Sequence, residues 1–355
     1  WHEGEGPGKF RIAVQGQELP ETLGDEGSRW EWQYAGSFDA VSKEIDLSLK
    51  DLTGFDGRCD AILFTRKSQA SGYVPEKDME ALRHRLIKGY GKAHDAGRYD
   101  FVVAGGGVAG MCAAVSAARL GMKVALIQNR PVLGGNNSAE IRVHLGGSIE
   151  CEPYPNLGNM IKEFGHTTKG NANPAECYED GKKMDFVRNE KNISLFLSTH
   201  VTDVEMDGNT ITALLARDIR TGRLLRFEAP LFADCTGDAN VGFLAGADWR
   251  SGRESFDETG EPGAVKTADK QVLGASVQWY SKDTGAASPF PVFEYGKIFT
   301  EESVQKVRKG EWTWETGMLR DQVREAERVR DHGLLVVYSN WSYLKNRSLV
   351  KDEYS

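Results

Sequence analysis

Alternation of apolar and polar positions predicts an all-β module at the start of the chain. Residues 10–14 and 44–49 have a period of two, and in the second stretch Ile45, Leu47 and Leu49 share one face. Residues 61–65 form a short apolar run that predicts a further strand. Glycine-rich segments separate these stretches, so we expect a β-sandwich-like module over residues 1–72.

The pattern then changes to helical spacing. Met79, Leu82 and Leu86 recur at helical intervals and predict a helical linker over residues 73–97. A short apolar strand at 101–104, a small-residue helix at 111–120 and a second apolar strand at 123–127 follow. This order predicts a βαβ unit with two parallel strands.

A strand-rich stretch begins at residue 199. Apolar positions over 199–216 and 222–230 predict a β-meander inserted before a last strand that ends in Thr236-Gly237-Asp238. We expect an α/β domain over residues 98–273 and a partial substrate or cap region over 274–355. Within that region, five charged residues indicate the solvated face of an amphipathic helix: Asp321, Arg324, Glu325, Arg328 and Arg330.

Composition narrows the class of partner. The net charge of −8 over 355 residues argues against nucleic acid, because phosphate binding favours a basic surface. No apolar run is long enough to span a bilayer. The five cysteines are scattered without metal-ligand spacing, and we expect mostly buried thiols. The cysteine pattern does not distinguish a periplasmic protein from a cytoplasmic one.

The turn between the first parallel strand and its helix reads Gly-x-Gly-x-x-Gly. Gly105 permits the tight turn, Gly107 lets a pyrophosphate approach the backbone, and Gly110 lets the helix pack on the strand. The first helical turn, with Val108 and Ala109, offers N–H groups to phosphates. The strand before the turn and the helix after it favour dinucleotide binding over an incidental glycine-rich turn.

The second strand departs from the usual dinucleotide-binding pattern. An Asp or Glu about 20 residues after the glycine turn ordinarily binds ribose hydroxyls. This chain has Gln128 followed by Asn129 and Arg130. The Gln128 amide both donates and accepts, so it suits a hydroxyl. Arg130 would suit the 2′-phosphate of NADP, which leaves a nicotinamide cofactor as an alternative.

Two further glycine-containing loops favour a flavin. Gly134 and Gly135, followed by Asn136, let a loop run close to a ligand, as flavoproteins commonly do; an ordinary surface turn is the alternative. Gly237 permits a second backbone approach, and Asp238 offers acceptors to ribitol hydroxyls or amides.

From residue 99 to 346 the chain resembles the FAD-dependent oxidoreductase family of the glutathione-reductase-like flavoproteins. Residues 105–110, 130–136, 234–238, 314–317 and 340–346 carry the resemblance. It is most similar to bacterial proteins often encoded with polysaccharide-degradation enzymes. The resemblance implies a Rossmann-type FAD/NAD(P)-binding fold, FAD and redox chemistry on a small, carbohydrate-derived substrate. The predicted cofactor site comprises Gly105, Gly107, Val108, Ala109, Gly110, Gln128, Asn129, Arg130, Gly134, Gly135, Asn136, Val201, Thr236, Gly237 and Asp238.

The catalytic candidates follow the Gly-Gly loop. On a strand, Arg142 and His144 would face the same side, with His144 as base and Arg142 as a clamp for an anion or carbonyl. A purely structural histidine is the alternative. Glu315 is the second candidate for the base. It lies between Trp314 and Gly317. Trp312 and Trp314 would either stack a sugar ring or belong to the core.

Two other functions stay open at this point: an NAD(P)-dependent dehydrogenase, and a non-catalytic carbohydrate-binding protein with a vestigial flavin fold. In flavoproteins of this kind a C-terminal segment returns to cover the pyrimidine end of the flavin. No such glycine-rich strand and helix are recognisable after residue 346, so we expect a chain ending at Ser355 to hold FAD weakly or not at all.

Overall fold

The computed structural model describes residues 8–24, 31–52, 59–66, 78–87, 89–156, 158–165, 170–293, 296–307 and 314–354. These residues form two compact units. The central unit contains residues 83–251, and the flanking unit contains the described parts of residues 8–82, 252–307 and 314–354. The central unit carries most of the predicted cofactor residues.

The flanking unit begins with a three-stranded antiparallel sheet. Strand β1 (Phe10–Val14) lies between β2 (Gln17–Glu18) and β3 (Leu47–Asp51). Leu47 and Leu49 lie two apart on β3, as the alternation predicted, but they remain 38% and 44% exposed. Residues 61–66 form no strand. A period of two shows which side chains share a face, but does not show whether another layer covers it.

The predicted helix before the central sheet is present as α1 (Met79–Leu86), with Leu82 buried. Strand β4 (His94–Arg98) follows within the segment expected to be a helical linker. Its side chains are polar or small and partly exposed, because β4 lies at the edge of its sheet. An edge strand without apolar alternation gives no hydrophobic signal, which explains why the sequence pattern missed it.

The predicted βαβ unit is confirmed. Strand β5 (Phe101–Ala104), helix α2 (Val108–Arg119) and strand β6 (Val124–Ile127) follow in order. The helix begins three residues earlier than expected, directly at the glycine turn. Side chains of α2 pack against both strands in a core where Val103, Met111 and Leu126 have no exposed surface. This packing fixes the turn at the carboxyl end of β5.

Short helices α3 (Ile161–Phe164) and α4 (Asp180–Arg188) lead to strand β7 (Ile193–Phe196), which the sequence analysis did not identify. The predicted meander is confirmed as β8 (Thr199–Asp207), β9 (Thr210–Asp218) and β10 (Leu224–Glu228). Strand β11 (Phe232–Asp234) then completes a parallel sheet of order β11-β5-β6-β7. The meander and β4 form a second sheet of order β4-β10-β9-β8. The central unit is therefore an α/β fold of Rossmann type with an inserted meander.

Helix α5 (Asn240–Leu244) ends the central unit, and α6 (Phe256–Thr259) and α7 (Ala326–Asn346) belong to the flanking unit. The charged stretch from residue 321 is only partly helical, since α7 begins at Ala326. The 340–346 motif has a packing role: the Asn340 amide exchanges two hydrogen bonds with the backbone of Gln305, and Asn346 donates to Phe290 O.

Two further expectations concern the whole chain. Cys59 and Cys151 are exposed and the other three cysteines are half-buried, so the expectation of buried thiols is wrong. All five are free thiols. Among the described residues, no helix combines the length and apolar character needed to cross a membrane.

Candidate active site

Two of the three fingerprint glycines are required by the packing of the protein itself. A Cβ on Gly110 would lie 1.8 Å from the carbonyl oxygen of Gly105. A Cβ on Gly105 would lie 2.1 Å from the carbonyl oxygen of Cys235, and Gly105 has φ +102°. Both distances are far below any allowed contact, so the strand, the turn and the helix come this close only with glycine at these positions.

Gly107 is different, because the space beside it is open. The nearest atom to a Cβ at Gly107 would be the Cα of Gly135, 4.0 Å away. The Gly-Gly loop approaches from that side: Gly134 N donates to Gly106 O at 2.9 Å, and a Cβ on Gly135 would lie 3.2 Å from the Gly107 Cα. At Gly107 and Gly135 the two loops thus meet backbone against backbone and leave a cradle that a side chain would fill.

The N-terminus of α2 opens at this cradle. Its N-cap, Gly107, provides no side-chain cap, and the first turn contains no acidic residue. No carboxylate of the first turn of α2 therefore balances the partial positive charge of the helix end. An uncapped helix end beside a glycine-only gap fits a pyrophosphate, as predicted for Val108 and Ala109.

Gln128 has a role that the sequence analysis did not foresee. Its side chain is 4% exposed, Oε1 accepts from Gly106 N at 2.8 Å, and Nε2 donates to Val132 O at 3.0 Å. The amide therefore ties the glycine turn to the loop after β6. A contact with a ribose hydroxyl would have to use the second lone pair of Oε1, and this contact stays a prediction.

The two residues after Gln128 are exposed. Asn129 has no side-chain hydrogen bond in the described part of the chain, and Arg130 Nη1 lies 3.1 Å from Glu140 Oε2. A carboxylate at this distance competes with a 2′-phosphate for the guanidinium. The arrangement therefore favours a cofactor without that phosphate.

The Thr-Gly-Asp turn follows β11, next to the glycine turn that follows β5. Asp234 organises it: Oδ1 accepts from the backbone N and Oγ1 of Thr236, at 3.1 and 2.6 Å, and Oδ2 accepts from Gly242 N at 3.0 Å. Gly237 has φ +94° and Asp238 is exposed. Asp234 escaped the site prediction although the Asp-x-Thr spacing is a known turn signal.

Parallel strands β5, β6 and β11 thus deliver their following loops to one edge of the sheet, where ligands of such folds bind. Val201 differs from the rest of the predicted set. This residue of β8 is 6% exposed, and its side chain packs into the core with the neighbouring strands. Any contact of Val201 with a cofactor would have to come from its backbone.

The predicted strand carrying Arg142 and His144 is wrong. Residues 142–146 form a loop in which Arg142 has φ +61°, a left-handed conformation that breaks the alternation of faces. The Arg142 carbonyl oxygen accepts from Ala172 N at 3.0 Å and from the Tyr178 hydroxyl. Its Nε donates to Ala139 O at 2.8 Å. Contacts from residues 172–178 therefore replace the expected strand pairing.

His144 is half-buried and contacts Asn171. Its backbone N and its ring Nδ1 both lie within hydrogen-bond distance of Asn171 Oδ1, at 3.1 and 2.8 Å. Asn171 is 27 residues away in sequence and shows no local motif. Sequence reasoning had no signal with which to find it.

A buried lysine and its half-buried carboxylate partner support the same loop. Lys183, on α4, has no exposed surface, donates to the Tyr178 carbonyl, and lies 3.8 Å from Asp180 Oδ1. Asp180 accepts from Ala139 N at 3.1 Å. Burial lowers the pKa of the Lys183 ammonium, an effect that Asp180 partly offsets. Burial also raises the pKa of Asp180, opposed by its hydrogen bond from Ala139.

The second candidate base lies in the flanking unit. Glu315 is exposed, and a Cβ on Gly274 would lie 2.6 Å from its Cβ. The neighbouring Trp314 packs edge-on against Phe299 at 6.1 Å, and Lys297 Nζ lies 4.2 Å from its ring centre. These contacts favour a core role for Trp314. Trp312 lies outside the described residues.

A family model described as FAD dependent oxidoreductase matches residues 100–350, which is more than half of the chain. The chain belongs to this family. The resemblance drawn from the sequence is therefore confirmed, and with it the Rossmann-type fold and FAD as cofactor. The glycine cradle and the uncapped α2 N-terminus fit FAD: they would hold its pyrophosphate.

Individual proteins show partial likeness. Dihydrolipoyl dehydrogenase 3 of Pseudomonas putida is 28% identical over 142 residues, which covers 34% of this chain and 29% of that protein. L-proline dehydrogenase from P. horikoshii is 19% identical with a TM-score of 0.27, covering 41% of this chain and 23% of that one. The flavin-dependent brominase Bmp2 is 18% identical with a TM-score of 0.33, covering 45% and 43%. The chain spans less than half the length of each.

Proposed function

We propose that the protein oxidises a small, carbohydrate-derived substrate, with His144 as the base that takes the substrate proton. FAD, when bound, accepts the hydride. The observation that carries the proposal is the position of His144, on the loop that continues directly from Gly134 and Gly135. The Gly-Gly loop meets the pyrophosphate cradle at Gly107, so the chain leads from the cofactor cradle to the base within a few residues.

Different loops of the chain have different roles in the proposed reaction. The α2 N-terminus and Gly107 bind the pyrophosphate. His144 presents Nε2, which has no hydrogen-bond partner in the described part of the chain, to a substrate hydroxyl. Arg142, whose Nε donates to Ala139 O, lies on the same loop and is the proposed clamp for an anion or carbonyl.

The carbohydrate part of the proposal is supported by the resemblance to proteins encoded with polysaccharide-degrading enzymes. Glu315 remains the second candidate for the base, since it is exposed and carries a carboxylate. The match to an FAD dependent family over residues 100–350 favours a flavin over a nicotinamide as the redox group in this fold.

The test is anaerobic reduction of the flavin. The purified protein, with FAD in excess, is mixed separately with neutral monosaccharides, uronic acids, oligosaccharides and an aliphatic alcohol, and the visible flavin absorbance is followed. We expect bleaching with at least one sugar and none with the aliphatic alcohol. NADH and NADPH are tested in parallel. Bleaching by a nicotinamide alone, with no sugar active, would show that the substrate class is wrong.

A separate arm measures sugar retention by equilibrium dialysis. A sugar that binds without reducing the flavin would favour the non-catalytic alternative. The Glu315→Gln variant, assayed with the sugar that bleaches the flavin, shows whether Glu315 takes part. We expect its reduction rate to match the unmodified protein.

A further inference from the structure

One atom of Asn171 makes two contacts with the same histidine. Asn171 Oδ1 lies 3.1 Å from the backbone N of His144 and 2.8 Å from its ring Nδ1. A backbone N–H can only donate, so the atom facing it must be the amide oxygen and not the amide nitrogen. The oxygen in turn can only accept from the ring. Nδ1 of His144 therefore carries a proton.

The proton on Nδ1 decides the chemistry of the opposite ring nitrogen. In a neutral imidazole one nitrogen donates and the other accepts, so the lone pair of His144 lies on Nε2. Nε2 has no hydrogen-bond partner among the residues that the structure describes. The ring is thus held with its basic atom turned away from Asn171.

Hydrogen bonds fix the backbone next to Asn171 to the loop that carries Arg142 and His144. Ala172 N donates to Arg142 O at 3.0 Å, and the Tyr178 hydroxyl donates to the same oxygen. On the same side, Asn173 N donates to the Tyr178 hydroxyl at 3.3 Å, and Asn173 Nδ2 donates to Gly170 O at 2.9 Å. These hydrogen bonds hold the backbone that follows Asn171 against the loop that carries His144, so the Asn171 side chain starts from a fixed position next to the ring.

We infer that Asn171 is a positioning residue that holds His144 in the Nδ1–H tautomer and so keeps Nε2 basic towards the substrate. The inference rests on the proposed role of His144 as base. Without an acceptor at this position both tautomers are populated, and only the fraction with an unprotonated Nε2 accepts the substrate proton. Fixing the tautomer of a histidine through its second nitrogen is a general way to set its chemistry.

The experiment combines nitrogen NMR with kinetics on the full chain. Protein labelled with ¹⁵N-histidine is recorded with FAD at a pH where histidine is neutral, and the His144 signals are assigned by their loss in His144→Gln. Three variants are compared. Asn171→Leu removes the acceptor at similar size, Asn171→Asp restores it, and Asn173→Leu disturbs the same turn without removing the contact to His144.

We expect the unmodified protein, Asn171→Asp and Asn173→Leu to show a protonated Nδ1, and Asn171→Leu to shift towards the Nε2–H form. Flavin reduction in Asn171→Leu should slow by about 10–100-fold, the usual effect of removing a partner that orients a histidine. Asn171→Asp should recover most of this loss. Circular dichroism and FAD titration, carried out on every variant, control for folding and for cofactor binding.

The outcomes separate two failures. A protonated Nδ1 in Asn171→Leu overturns the inference whatever the kinetics show. The same tautomer shift in Asn173→Leu also overturns it, because the effect would then belong to the turn as a whole. A shifted tautomer with an unchanged reduction rate supports the hold of Asn171 on the ring and overturns the role of His144 as base.

Discussion

The two loops that meet at Gly107 and Gly135 are held in different ways. The glycine turn is shaped by its own strand and helix, because Gly110 lies directly against the Gly105 carbonyl. The loop from Gly134 to His144 is shaped by a segment far along the chain, through Asn171, Tyr178, Asp180 and Lys183. Local packing therefore sets the cofactor cradle, while distant contacts set the candidate base.

The two loops differ in the kind of contact that holds each one in place. The glycine turn exists because any side chain at Gly105 or Gly110 would collide with backbone. The second loop exists because hydrogen bonds and the stem of Lys183 hold it: a Cβ on Gly134 would lie 2.8 Å from Lys183 Cδ. The glycine turn is therefore sensitive to added side-chain atoms, whereas the second loop is sensitive to the loss of its hydrogen-bond partners.

The largest effect is expected at Gly110. Its Cβ in Gly110→Ala would lie 1.8 Å from backbone that cannot move without parting β5 from α2. We expect a loss of about 3 kcal/mol or more in the free energy of unfolding, the upper range for overpacking. Gly107→Ala, with open space beside it, should lose about 1 kcal/mol or less. Urea unfolding measures both; equal losses would show that local packing does not distinguish the two glycines.

The next effect concerns His144 in the second loop. With FAD in excess, His144→Ala should bind FAD as the unmodified protein does and slow its reduction by about 10²–10⁴-fold, the usual contribution of a general base. Stopped-flow absorbance with the active sugar measures the rate. His200→Ala, on β8 of the same unit, is the control and should leave the rate unchanged. An unchanged rate in His144→Ala would move the base to Glu315 or another residue.

A third effect returns to the glycine cradle. Gly107→Val places a branched side chain where we propose that the pyrophosphate binds, at a position where the nearest atom to the added Cβ is 4.0 Å away. A steric conflict of about 3 kcal/mol corresponds to about 100-fold weaker FAD binding. FAD titration by fluorescence measures the affinity, and circular dichroism confirms the fold. Gly181→Val, on α4 with no atom within 4 Å of its Cβ, is the control. An unchanged FAD affinity in Gly107→Val would contradict the placement of the pyrophosphate in this cradle.

The smallest effect concerns the pH dependence of stability. Burial lowers the pKa of Lys183, so its charged form is disfavoured in the folded state. The free energy of unfolding therefore rises as pH increases through the lowered pKa towards the ordinary lysine value of about 10.4. Lys183→Met keeps the stem against Gly134 and removes the titration. Urea unfolding between pH 7 and 10 should show this rise only in the unmodified protein. An identical rise in Lys183→Met would assign it to another group.

The sequence predicted the cradle more completely than the base. The βαβ unit and the roles of Gly105 and Gly110 follow from rules that act within a few residues, and the structure confirms them. The roles of Gly107 and of the Thr-Gly-Asp turn stay predictions that the geometry supports. The strand expected to carry Arg142 and His144 is absent, since its alternation of residues had no neighbouring strand to pair with.

The sequence by itself determined the βαβ unit, the glycine turn and the family to which the chain belongs. These depend on periodicity and on clashes between residues close in the chain. Only the tertiary structure decided that Gln128 ties two loops together, that β4 pairs at a sheet edge, and that Asn171 faces His144. Such contacts depend on where distant segments meet. The residue types involved show no local sequence pattern, because amide side chains and polar strands also occur on exposed surfaces without such contacts.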